Sequence, residues 1–215
     1  MARCPTVTEL EENKVIGNYR RKEKKMYAIY GTGSIRLAIA LANYYASFLK
    51  KKVAIGEVGA GSLTDISEDA QKNVMKHTDN TLIGFTNMRV DYYPYINMDE
   101  CMKLCNEEYD AIVWVFQEIS HDYMNLFRMC NKRIFLTNIA SYNRRLFCRT
   151  KNLFEHDMVE VEIYCYLLNK KDKVWYEKTV GKSKFFSNPN EITRIKNPDK
   201  LTRNDITFLE KVAAG

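Results

Sequence analysis

Residues 27–59 read YAIYGTGSIRLAIALANYYASFLKKKVAIGEVG. The opening is a short apolar run closed by Gly31, and such a run bounded by glycine predicts a buried strand over 26–30. Beyond the turn that holds Gly31 and Gly33, the apolar residues Leu37, Ile39, Leu41, Tyr44, Tyr45 and Phe48 recur at helical spacing, which predicts a helix over 34–50 with a broad buried face. A second apolar run over 53–58 predicts the next strand, with Glu57 near its end. Strand, glycine turn, helix and strand in this order form the opening unit of an α/β nucleotide-type fold.

The same reading extends along the chain. Ser67 followed by Glu68 and Asp69 predicts a capped helix over 67–77. Segments 81–85 and 88–92 read as extended, with Pro94 ending that stretch, and 98–108 as helical. YDAIVWVF, residues 109–116, is the most uniformly apolar short run and predicts a central parallel strand. A helix from Ser120 to Asn131, a strand over 133–138, a helix over 141–154, extended segments over 158–168 and 174–180, and a closing helix over 201–212 complete the pattern. The alternation predicts a three-layer α/β/α domain over 26–215 with a mostly parallel sheet, preceded by a basic arm or linker over 1–25.

The formal charge is +6, but Lys14, Arg20, Arg21, Lys22, Lys24 and Lys25 against Glu23 supply +5 of it within 13–25. The rest of the chain is nearly neutral, and no aromatic residues are interleaved with a basic surface pattern, so nucleic acid is not the expected partner. None of the six cysteines falls in a CxxC pair, and Cys101 with Cys105 lacks a matching histidine or second cysteine pair, which predicts free thiols in a reducing cytoplasm. The longest hydrophobic stretch, 37–49, carries Asn43 and Ser47 and is too short to cross a bilayer.

The glycine turn admits three readings. A phosphate loop of the form GxxxxGK[ST] uses backbone N–H groups and a lysine to hold phosphates; here Gly31 and Gly33 stand two apart, and no lysine occurs between Lys25 and Lys50. The dinucleotide pattern GxGxxG fits Gly31, Thr32, Gly33 and Ser34, but Arg36 follows Ile35 where the third glycine would stand; Glu57, 26 residues after Gly31, would then be the ribose-binding acid, which the pattern places about 20 residues on. In the third reading the turn is structural, its glycines letting the backbone reverse. A glycine turn at a helix start also binds anions in principle. The candidate nucleotide-binding set is therefore Gly31, Thr32, Gly33, Ser34, Ile35, Arg36 and Glu57, with no catalytic residue and no metal ligand identified.

Taken in order, IYGTGS, AIALANYYASFLKKKVAIGEVG, VDYYPYINMDECMKLCNEEYDAIVWVFQ and NKRIFLTNIASYNRRLF resemble ParA- and MinD-like P-loop ATPases over residues 26–140, and NPDKLTRNDITFLEKV is similar to the closing segment of such chains. The resemblance implies that fold, a nucleotide such as ATP as ligand, and association of subunits around it. Under the resemblance, the loop lysine and hydroxyl fall near Ser34 and Ile35, the Walker B aspartate on Val115 and the following glycine on Gln117, while Glu57 matches the acid ending the second strand. Loss of both determinants implies a non-hydrolysing module in the cytoplasm that works through a protein partner or a homodimer. The alternatives are a weak nucleotide-dependent switch using the glycine turn, or an NAD-binding protein using Glu57.

Other conspicuous side chains have structural readings. His121 opens a helix at the surface, Asp110 pins the chain before a strand, and Trp114 fills core. Tyr92, Tyr93 and Tyr95 could stack on a base, but aromatics closing a strand usually pack inward. The closing helix is neutral over 199–215, so it suits packing on its own domain rather than a lipid surface.

Overall fold

The computed structural model describes residues 24–59, 63, 74–76, 82–166, 169–181, 183–192 and 194–214. Most of the expected basic arm, 67–73 and 77 of the helix expected over 67–77, and 167–168 of the extended segment expected over 158–168 lie outside them. In chain order the elements are β1 (Lys25–Gly31), α1 (Ser34–Asn43) running into a π-helical turn (Tyr44–Phe48), β2 (Val53–Val58), β3 (Val74–Lys76), β4 (Ile83–Asn87), β5 (Val90–Ile96) and α2 (Met98–Asn106). There follow β6 (Ala111–Phe116), α3 (His121–Met129), β7 (Lys132–Thr137), a 3₁₀ turn, α4 (Arg144–His156), β8 (Glu162–Cys165), α5 (Lys170–Val180), β9 (Asn190–Glu191) and α6 (Arg203–Ala213).

The strands form one sheet in the order β3-β4-β5-β2-β6-β1-β7-β8-β9. Pairing is parallel except for β3 with β4 and β4 with β5. β6, the AIVWVF run, is buried at every residue between β2 and β1. Its alternating side chains divide between two layers. Val113 and Val115 join Ile29, Ile55, Leu37, Leu41, Leu209 and Val212 under α1 and α6. Ile112, Trp114 and Phe116 join Leu104, Phe127, Phe147, Phe154 and Tyr176 under the helices of the other face. Full burial of one such aliphatic side chain contributes about 1.5–3 kcal/mol, so both layers are held chiefly by these faces. As its neutral charge implied, α6 packs on its own domain: Leu209 and Val212 are fully buried, and the Tyr27 hydroxyl donates to the Ala213 carbonyl at 3.3 Å.

Four expectations require correction. Residues 74–76 are a strand antiparallel to β4 rather than the end of a helix. β5 continues through Pro94 because Pro94 and Tyr95 form a bulge, Gly56 pairing with Tyr93 and Val58 with Ile96, and a bulge leaves the missing proline N–H without consequence. Residues 174–180 are helical: the Asn169 side chain accepts from the Asp172 N–H, and Asp172, Tyr176 and Val180 turn one face inward. The α-helix after the glycine turn ends at Asn43, where the π-helical turn begins.

Candidate functional site

β1 ends at Gly31, whose φ is +106°. A Cβ there would lie 1.9 Å from the Leu136 carbonyl oxygen of β7, so glycine is the only residue that lets the two strands run this close. The Thr32 N–H donates to that same oxygen at 3.0 Å. Gly33 is the left-handed N-cap of α1, with φ +81°, and the first helical bond runs from Leu37 N–H to its carbonyl. The N–H groups of Ser34, Ile35 and Arg36 thus belong to a helix start with no intrahelical acceptors.

A cleft of about 710 Å³ opens over this turn. Its floor is Thr32, Gly33 and Arg36, and its walls are Asn138, Tyr166, Glu191, Ile192 and Arg194. The walls come from the carboxyl ends of consecutive strands: Asn138 directly follows β7, Tyr166 directly follows β8, and Glu191 closes β9. Arg36 reaches across the cleft, its guanidinium donating to the Ile195 carbonyl at 3.2 Å. The Tyr166 hydroxyl stands over Gly33, 3.0 Å from where a Cβ would be. Burial raises the Tyr166 phenol above its ordinary range, while Arg36 and Arg194 pull it the other way.

Of the seven expected residues, three line the cleft: Thr32, Gly33 and Arg36. Gly31 sets the turn beneath it, Ser34 is buried, and Ile35 packs partly buried against the α1 and α6 core. Glu57 is elsewhere. β6 lies between β2 and β1, which places Glu57 two strands, or about 10 Å, from the glycine turn. It is fully buried, and its carboxylate accepts from the Leu63 N–H at 3.0 Å and from Gln117 Nε2 at 2.7 Å. A dinucleotide fold places its second strand directly beside the first, so this strand order does not bring Glu57 to a ribose at the turn. Val115 is the ladder neighbour of Glu57 and Ile29 and is fully buried.

Asn138, Tyr166, Glu191, Ile192 and Arg194 were missed. The available signal was the rule that ligands sit beyond the carboxyl ends of parallel strands, applied to every strand end rather than to the first. Among the other conspicuous residues, Asp110 accepts from the Lys52 N–H at 2.9 Å, and Trp114, Tyr92 and Tyr93 are core. Tyr95 is half exposed, and His121 is exposed beside Asp157. Cys101 and Cys165 are buried free thiols, each pushed up to about 12 by burial. Among the described residues no group of three or more His, Cys, Asp or Glu is arranged to hold a metal ion, and no helix is long and apolar enough to cross a membrane.

No family model matches the sequence, and no curated protein matches it. Solved structures do. A plasmid partition protein from Borrelia burgdorferi bound to AMPPNP superposes with a TM-score of 0.61 at 15% identity, covering 90% of this chain and 98% of that one. A second plasmid partition structure from Borrelia burgdorferi gives 0.58 at 16% identity over 90% and 97%. A ParA family ATPase from Chlorobium tepidum gives 0.57 at 15% over 90% and 93%. With its mostly parallel sheet between two helical layers, the chain has the fold of the ParA-family ATPases.

Proposed function

We propose that the cleft over Gly33 binds a nucleotide without hydrolysing it, and that the protein is a nucleotide-responsive binding module acting through a protein partner or a second copy of itself. The observation that carries the reading is Val115. Where the resemblance puts the acid that orders magnesium, this chain has a fully buried valine in the middle of the sheet. Phosphoryl transfer rests on positioning and on compensation of charge at the transferred group, so a site lacking both that acid and the loop lysine loses its main catalytic contributions.

Binding is supported by different features. The glycine turn opens a helix of ten residues toward a cleft large enough for a nucleotide, and two arginines line it. The partition protein that shares the fold was crystallised with AMPPNP. Isothermal titration with adenine and guanine nucleotides, run beside a phosphate-release assay, tests both halves of the proposal. Saturable heat with no released phosphate is expected. Turnover would overturn the non-hydrolysing half, and absence of any heat would overturn the binding half.

A further inference from the structure

Resting on the nucleotide-binding reading, we propose that the cleft recognises a nucleoside monophosphate through the paired guanidinium groups of Arg36 and Arg194, with no divalent cation taking part. Arg36 comes from the first turn of α1, and Arg194 from the segment after β9. Both line the cleft above Gly33, and both act electrostatically on the phenol of Tyr166 that stands there. The Arg36 side chain is fixed in place by its bond to the Ile195 carbonyl. Two guanidinium groups lining one cleft suit a dianion, because each offers a planar fork of donors matched to phosphate oxygens.

The lining also sets how much negative charge can be accepted. Against Arg36 and Arg194 stands one carboxylate, Glu191, so the described lining carries a net +1. A monoester phosphate of charge near −2 is matched by the arginine pair alone. A triphosphate brings roughly twice that charge and relies on a magnesium ion, which is held by one or two carboxylates together with the phosphates. Of the positions where the resemblance puts acids, Val115 carries none and Glu57 is two strands away with its oxygens on Leu63 and Gln117, which leaves Glu191 as the one carboxylate of the described lining. Glu191, in the same lining, then accepts from hydroxyl or amino donors of the nucleoside, which distinguishes this ligand from bare phosphate.

The test measures affinities of AMP, GMP, ATP, GTP and inorganic phosphate for the full chain, in excess magnesium and in excess EDTA. A monophosphate is expected to bind at least as tightly as its triphosphate, with the same affinity in both buffers. Arg194→Ala, at an exposed position, is expected to weaken it about tenfold or more, with Arg194→Lys intermediate. Arg36→Ala should do the same, and its melting curve separates lost binding from the lost Ile195 contact. Triphosphate binding that vanishes in EDTA, or affinity unchanged by both alanine variants, would overturn this inference and leave nucleotide binding standing. Equal affinity for inorganic phosphate would overturn the nucleoside part. No binding in any arm would remove both this inference and the reading beneath it.

Discussion

A methyl group added to Gly31 would lie 1.9 Å from a backbone oxygen of β7, at a φ of +106° that side chains rarely adopt. Backbone cannot yield as a flexible side chain can, so Gly31→Ala is expected to cost about 3 kcal/mol or more, measured by denaturant unfolding. Gly33→Ala meets only the end of the Tyr166 side chain, at 3.0 Å; about 1 kcal/mol is expected, together with loss of nucleotide binding. The sequence marks both glycines, but it does not separate their roles, because the difference lies in a strand more than a hundred residues downstream. Trp114 presents the opposite case. Its indole N–H is buried with no hydrogen-bond partner among the described residues. Since an unsatisfied donor costs about 1–3 kcal/mol, Trp114→Phe should lose less stability than its change of volume suggests, about 1 kcal/mol or under by thermal melting.

Among the elements, the β4–β5 hairpin turns on Met88 and Arg89, both at positive φ (+49° and +67°). Two consecutive left-handed residues are the requirement of a type I′ turn, for which Asn-Gly is preferred. Replacing Met88-Arg89 by Asn-Gly is therefore expected to raise stability by about 1 kcal/mol, read as a higher denaturation midpoint. Nothing in the sequence around Met88 signals such a turn, which is why only the strands on either side were legible. α5 was illegible for another reason. Val174, Trp175 and Tyr176 favour strands, while the inward face of the helix includes Asp172, which pairs with Arg144 at 3.2 Å. A buried ion pair supplies no hydrophobic period. By contrast, β6 and α1 were readable because their apolar residues face core on nearly every side. The capping box of α6, Thr202 with Asp205, sharpened a boundary that periodicity alone left two residues early.

At the scale of the molecule, the alternation of strands and helices was legible in the sequence and the strand order was not. Insertion of β6 between β2 and β1 depends on crossovers that leave no local mark, and it is what parts Glu57 from the glycine turn. The buried core also fixes how stability responds to alkali. Cys101 and Cys165 are raised by burial, and the Tyr93 phenol is pushed up to about 12 by burial, its bond to Tyr109 acting in the opposite direction. In the fold each holds its proton at pH values where the unfolded chain, titrating at its ordinary 9 to 10, has released it. The unfolded state is then favoured as pH rises, by about 1.4 kcal/mol per pH unit for each group. Stability should be unaffected by these groups below pH 9 and should fall steeply from there toward pH 12, as equilibrium unfolding at a series of pH values would show.

The contact of Arg36 with Ile195 joins residues 159 apart in the chain. Floor and walls of the cleft are consequently made at well-separated times during translation. A ribosome that has released β1, α1 and most of the sheet has still not produced Arg194, so on a nascent chain the glycine turn and Arg36 stand without their second arginine until the segment after β9 has emerged.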